Sequence, residues 1–303
     1  MKDDDGRWSK AEEVMLLFLA DLERLPKQMR NTVSLRQSEG NAHTSLSGNY
    51  LRQGRDDEAV KEGQTAIAIN KQLANEFPSV PHYRRDLAWM HVNLGNKYYM
   101  LRRWKEAEQE HRLALELLER LAADFPEVAN YVNDVGWRQI ELGRDDCLAQ
   151  GCSAQALDWL ELAEKNFRRA HSLMPDERIQ AWIEEIRCAR ARALAQLKRY
   201  EDAVAEAQGC GAKPRDLFNV ACAYSLLSAA ALQNDKLAAP DRARISEAHA
   251  SRAVELLAGI DWKNNWNLEP LKTDKDLDPL RARKDFIDLV KRAEKASAKQ
   301  AGK

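Results

Sequence analysis

The chain repeats itself at long range, and no other feature narrows its possible folds as much. Residues 73–95, LANEFPSVPHYRRDLAWMHVNLG, return 48 positions later at 121–143 as LAADFPEVANYVNDVGWRQIELG. Leu73/Leu121, Phe77/Phe125, Pro78/Pro126, Tyr83/Tyr131, Asp86/Asp134, Trp89/Trp137 and Gly95/Gly143 all coincide. A fixed period of this size implies supersecondary units that bury their apolar faces by stacking, as helical hairpins do.

The first hairpin reads LSGNYLRQGRDDEAVKEGQTA, with Leu46 and Tyr50 before a turn at Gly54 and Ala59 and Ala66 on the return helix. The second, LGNKYYMLRRWKEAEQEHRLA, places Leu94, Gly95, Tyr98, Trp104, Ala107 and Ala114 at matching offsets. Small residues let two helices cross closely while the aromatic fills the groove beside the crossing. These offsets resemble the tetratricopeptide repeat (TPR), a 34-residue helix-turn-helix unit. The spacing departs from that pattern in one informative way. Ala66 to Pro78 and Ala114 to Pro126 each span twelve residues where five are expected, and Pro78 to Leu94 and Pro126 to Leu142 each span sixteen instead of nine. Each helix has gained seven residues, nearly two turns, so the inward face is kept and the helix lengthens by about 10 Å.

Three further hairpins are expected. In the third, eight extra residues including Cys147, Gly151 and Cys152 follow Gly143 before a return helix carrying Ala163, Phe167 and Ala170, closed by Pro175. The fourth has Ala191, Leu194, Tyr200, Ala203 and Ala207, ended by Gly209, Gly211 and Pro214. The fifth has Val220, Ala221 and Tyr224, a polar insertion over 234–241, and a return helix from Ser246. The fold class expected is all-α: a right-handed, TPR-like superhelical solenoid of about five hairpins, the first two lengthened. In outline, residues 1–7 form a disordered tail, 8–30 an N-terminal helix, 31–260 the repeat array, 261–293 a capping segment and 294–303 a disordered basic tail. Within these, Ser9 suits a helix N-cap, and Val14, Leu17, Phe18 and Leu22 share one face that Pro26 terminates. Asp278 and Pro279 suit the start of a closing helix.

Composition agrees with long helices: 44% hydrophobic, 31% charged, and only 13 Gly and 9 Pro in 303 residues. Forty-seven basic and 48 acidic residues give a net charge of −1, so no global field draws the chain to nucleic acid or an anionic membrane. The only apolar run near the start, Met15 to Ala20, is too short for a signal peptide or a spanning helix, which gives an expectation of a cytoplasmic protein. Five cysteines at irregular spacing form neither a disulfide framework nor a paired zinc motif, and reduced thiols are expected.

The phrases LANEFPSVPHYRRDLAWMHVNLG, FNVACAYSLLSAA and KDLDPLRARKDF resemble the TPR arrays that follow the kinase domain in bacterial, planctomycete-like serine/threonine kinases, over residues 30–292. That resemblance implies a docking module in signalling. No glycine-rich phosphate loop, HRD catalytic loop or DFG site is present, so the kinase half is missing. Residues 17–40, LFLADLERLPKQMRNTVSLRQSEG, resemble the opening of the DNA-binding region of extracytoplasmic-function sigma factors, without a basic recognition helix after it. A sigma-factor-derived, transcription-associated protein is the alternative reading.

His43 and His91 stand at equivalent places, with no carboxylate, Cys or His at i+3 or i+4 to complete a metal site, and packing is expected of them. Cys147 and Cys152 read as structural thiols and the carboxylate pairs as solvated acids. No cofactor, metal or catalytic residue is assigned, and the chain reads as a non-enzyme. First helices of such hairpins line a concave groove, where Trp89, Asn93, Asn96, Tyr99 and Arg103 recur at helical steps with Trp137 and Arg144 beside them. Asn bonds a peptide backbone, Arg takes a carboxylate, and Trp gives apolar area. The same tryptophans also suit packing between the lengthened helices. The expected function is a scaffold docking a peptide or protein in that groove.

Overall fold

The computed structural model describes residues 7–210, 214–262 and 268–301, with the side chains of 7–9, 149, 214–215 and 297–301 outside that description. Among the described residues every regular element is helical, and the chain is an all-α, TPR-like helical-repeat protein. Backbone packing divides it into two compact units, Met1–Leu142 with Ser172–Met174, and Gly143–His171 with Pro175–Lys303.

The first unit opens with α1 (Arg7–Arg24) and the single turn α2 (Lys27–Arg30), where Pro26 stands as N-cap. Two hairpins follow, α3 (Val33–Arg52) with α4 (Asp56–Glu76) and α5 (Pro81–Met100) with α6 (Trp104–Asp124), and then α7 (Ala129–Ile140). Helices of 20 and 21 residues run about 30 Å, the lengthening the spacing predicts. Proline at N1 of α5 costs no hydrogen bond because that amide would be unpaired anyway.

Each hairpin crosses where one side chain is small. Gly95 faces fully buried His111, and a Cβ on Gly95 would overlap the imidazole. Forty-eight residues earlier the roles are reversed: Gly63 faces Ser47, whose hydroxyl donates to the Ala59 carbonyl. The crossing thus conserves the summed volume of a pair, not a residue at one position. In the second unit Gly143 repeats the device against Trp159, with its Cβ position 3.2 Å from the tryptophan Cβ.

The turns are equally regular. Gly54, Arg102, Gly151 and Lys198 all take left-handed φ, between 59° and 77°. The next amide closes back five residues, Arg55 to Tyr50 and Arg103 to Tyr98 at 2.9 Å, Cys152 to Cys147 at 2.8 Å and Arg199 to Leu194 at 2.9 Å. Arg102 and Lys198 occupy this region without the freedom glycine has.

The residues expected as an insertion after Gly143 continue the helix. A π-helical stretch, Glu141–Cys147, follows α7 and leads into α8 (Leu148–Gln150), with Gly151 ending the run. Widening to i→i+5 bonds absorbs extra residues without breaking the rod. The second unit then holds α9 (Ser153–Leu173), α10 (Ile179–Gln196), α11 (Tyr200–Ala207), α12 (Pro214–Gln233) and α13 (Ala239–Ala258). The segment read as a polar insertion over 234–241 is a short turn, with Pro240 and Asp241 already in the first turn of α13.

The closing segment comprises α14 (Glu269–Thr273), a 3-10 turn at Lys275–Leu280 and α15 (Lys284–Ala301). Asp274, not Asp278, is the cap: its carboxylate accepts from the Asp276 amide, and Pro279 lies within the 3-10 turn. Helix α15 runs past 293, where the sequence reading placed a disordered tail. The tail read over 1–7 lies outside the described residues except for Arg7, which begins α1; Ser9 therefore falls inside that helix and not at its cap.

Candidate functional site

In the first unit, polar links recur at the repeat offset. Arg36 bonds Glu76 at 2.6 Å and Arg84 bonds Asp124 at 2.5 Å. Arg85 grips Asp134 at 2.7 Å, and its counterpart Gln37 meets His82 at 3.4 Å, which in turn pairs with Asp86 at 3.0 Å one repeat earlier. Phe77 packs at a tilt against Tyr83 and Phe125 edge-on against Tyr131, and Arg55 lies over Tyr50 as Arg103 lies over Tyr98. These links set successive helices in one register and leave the repeat's outward positions to vary.

The histidines need a correction. His43 Nδ1 meets Glu62 at 2.5 Å and His91 Nδ1 meets Glu110 at 2.6 Å, carboxylates 19 residues away on the return helix. A search limited to i+3 and i+4 misses a partner that the hairpin itself supplies. The recurrence of His and Glu at the 48-residue offset was the available signal.

Positions 48 residues apart define an outward stripe on α3 and α5. On α5 it runs through Trp89, Asn93, Asn96 and Met100, steps of four, three and four, with Trp89 40% and Met100 68% exposed. On α3 the counterparts are Asn41, Ser45, Gly48 and Arg52. One helix therefore presents two amides between two apolar side chains, and its neighbour presents small polar groups and a guanidinium. Met100, Asn41 and Arg52 were absent from the sequence assignment because an exposed Met or Asn has no signature until the register is known.

Other assigned residues are placed differently. Arg138, buried and bonded to Glu141, lies with its guanidinium 5.5 Å from the Trp89 ring centre, so the indole is braced on one side and open on the other. Tyr99 packs edge-on against Trp104 at 4.9 Å, and Arg103 pairs with Glu106 at 2.9 Å, which puts both at the hairpin turn. Trp137 is half-buried on α7. Arg144 belongs to the second unit, where it is buried and engaged by Asp145 at 2.7 Å and by Glu185.

Lys97, between the stripe and the hairpin core, is buried and donates to the Asn93 carbonyl at 3.2 Å. Burial, with Arg52 nearby, holds its ammonium at a pKa of about 8.

In the second unit α11 has eight residues where α9 has 21, and a groove of about 1340 Å³ opens between α9, α10 and α11. Arg190 spans it, reaching Glu164 at 2.7 Å and Glu206 at 3.1 Å, so its charges close on one another. Cys222, Asp274 and Asp276 bring donor atoms within 4.8 Å, a set that could hold a cation. A cation is already there: Arg192 bonds Asp274 at 2.6 Å and Asp276 at 2.7 Å. Burial works against a charged Arg192, yet Cys222, Asp274 and Asp276 keep its pKa above the ordinary range, while burial pushes the Cys222 thiol well up. None of the five cysteines is in a disulfide, and Cys147 is buried while Cys152 is exposed. No helix among the described residues is long and apolar enough to cross a membrane.

These features define an all-α helical-repeat protein. The crystal structure of BtubC (BKLC) from P. vanneervenii is similar in fold, with a TM-score of 0.53 at 13% identity over 87% of this chain and 94% of that one. TTC0263, a thermophilic TPR protein of Thermus thermophilus, matches at 0.37 and 18% identity over 85% and 98% of the two chains. The TPR2AB domain of yeast Sti1 in its pHSP90 complex matches at 0.22 and 13% over 95% and 98%. At such identities the likeness concerns fold alone, and the comparison with BtubC carries it. No protein-family model matches the chain, and no curated protein matches it.

Proposed function

We propose that the first unit docks an extended segment of a protein partner along the outward stripe of α3 and α5, as a non-catalytic scaffold. The observation that supports this most is the exposure of Trp89 and Met100 on the face that carries Asn93 and Asn96. Eleven residues of helix separate the two apolar side chains, about 16 Å, which five residues of extended peptide span. Asn93 and Asn96 lie between them to meet peptide amides and carbonyls, Asn41 adds a third amide, and Arg52 at the edge suits an acidic side chain of the partner. Tyr99 and Arg103 flank this stripe at the turn. Trp137 stays in the reading as a support, whereas Arg144 belongs to the second unit, closed on Asp145 and Glu185. The resemblance to kinase-linked arrays favours a partner in bacterial phospho-signalling.

Peptides selected against the protein from a displayed random library test this. Those enriched should carry two apolar residues four to six apart, and Trp89→Ala with Met100→Ala should weaken them by ~100-fold, as loss of two anchors does. Peptides that bind the double variant as well as the parent would refute it.

A further inference from the structure

We infer that the outer face of α1 pairs with the same face of a second copy of this chain, the two helices running antiparallel. Helix α1 is fixed in rotation from within. Met15 and Leu19 pack against Leu46 and Tyr50 and Leu22 is buried, while Glu12 accepts from Gln53 at 2.8 Å and from Arg55 at 2.7 Å. The sequence reading placed Val14 and Leu17 on the same face as Leu22; they point the other way, 57% and 58% exposed, with Leu16 45% exposed at their flank. The outward stripe is Lys10, Val14, Leu17, Asp21 and Arg24, in steps of four, three, four and three, the spacing of a coiled-coil seam. No described element of the first unit covers it.

The charges on this seam choose the occupant and its direction. Antiparallel pairing of two copies sets Val14 against Leu17 twice at the centre and Lys10 against Asp21 twice at the ends. Ala11 and Ala20 lie beside the seam, where a small side chain lets the helices approach closely and leaves room for the half-buried Phe18 of the other copy. A parallel pair in register would instead oppose Lys10 to Lys10 and Asp21 to Asp21, which like-charge repulsion disfavours. Asp21 also bonds Arg24 at 2.9 Å within its own helix, and both remain open to solvent. Eighteen residues of one helix offer less than the roughly 800 Å² per partner of a standard interface, so the dimer is weak and concentration-dependent.

Sedimentation equilibrium of the full chain across a concentration series tests the pairing. The parent should pass from monomer to dimer in the ~10–100 µM range. Leu17→Glu, at an exposed position that spares the fold, should raise the dissociation constant ~100-fold. Lys10→Glu and Asp21→Lys should each weaken it ~5- to 10-fold, and the two together should restore it, because the swapped charges again meet their opposites. A parent that stays monomeric, a dimer that ignores Leu17→Glu, or a double swap weaker than either single variant would overturn the inference.

Discussion

The two units build their hairpins with the same turn and the same small-against-large crossing, but they hold them in register by different means. In the first unit several inter-helix links are written twice, Arg36–Glu76 with Arg84–Asp124 and His43–Glu62 with His91–Glu110, while Arg85–Asp134 has its counterpart in a chain from Gln37 through His82 to Asp86. In the second the repeat loosens. A π stretch replaces regular helix, α11 is cut to two turns, and beside unrepeated pairs such as Arg144–Glu185 and Arg190–Glu164 a buried cluster forms in which Arg192 ties α10 to Asp274 and Asp276 of the closing segment. Distributed, part-exposed links each contribute little, so a surface carried on them tolerates change. A buried cluster is less forgiving, because removing one member leaves the others charged and uncompensated away from water.

The largest expected effect separates the two modes directly. Arg192→Met leaves two acids without their cation in a buried place, and chemical denaturation should show a loss of ~3–5 kcal/mol, whereas Arg84→Met in the first unit should cost under ~1 kcal/mol. Equal losses would erase the distinction. The crossing rule comes next. Gly95→Ser should cost ~2–3 kcal/mol because its side chain meets His111, and Gly95→Ser combined with His111→Gly, which copies the Ser47/Gly63 arrangement, should recover most of it. Strict additivity of the two changes would show that volume is not shared across the crossing. The smallest effect concerns Lys97, a buried cation with no such cluster. Its amine sits at about 8 in the folded chain against an ordinary 10.5, so between those values the unfolded chain binds the extra proton and stability rises with pH. Lys97→Met should flatten that rise and stabilise the protein at pH 7 by ~1–2 kcal/mol, readable from melting curves at pH 7, 8 and 9.

Much of this architecture can be read from residue order. Leu, Gly and Ala at fixed offsets in LGNKYYMLRRWKEAEQEHRLA locate a crossing, and the seven-residue excess in each helix gives its length. The π continuation could not be read that way, because residues 144–151 carry glycine and paired acids that look like a loop until the helix on either side is seen to be continuous. Which side of α1 is buried was hidden for a related reason: Val14, Leu17, Leu19 and Leu22 surround the helix, and only the position of Gln53 and Arg55 fixes Glu12 inward. At the candidate site Trp89, Asn93 and Asn96 follow from helical phase alone. Arg138 under the indole and Arg144 closed on Glu185 do not, because their partners lie on other helices.

The docking reading stands or falls on where a bound peptide sits. Hydrogen–deuterium exchange of the protein with and without a selected peptide reports this most directly. Slowed exchange concentrated in 41–52 and 89–103 is the expected result. Unchanged exchange there, with protection appearing in 154–168 or 183–206 instead, would place the partner in the charged groove of the second unit and contradict the account.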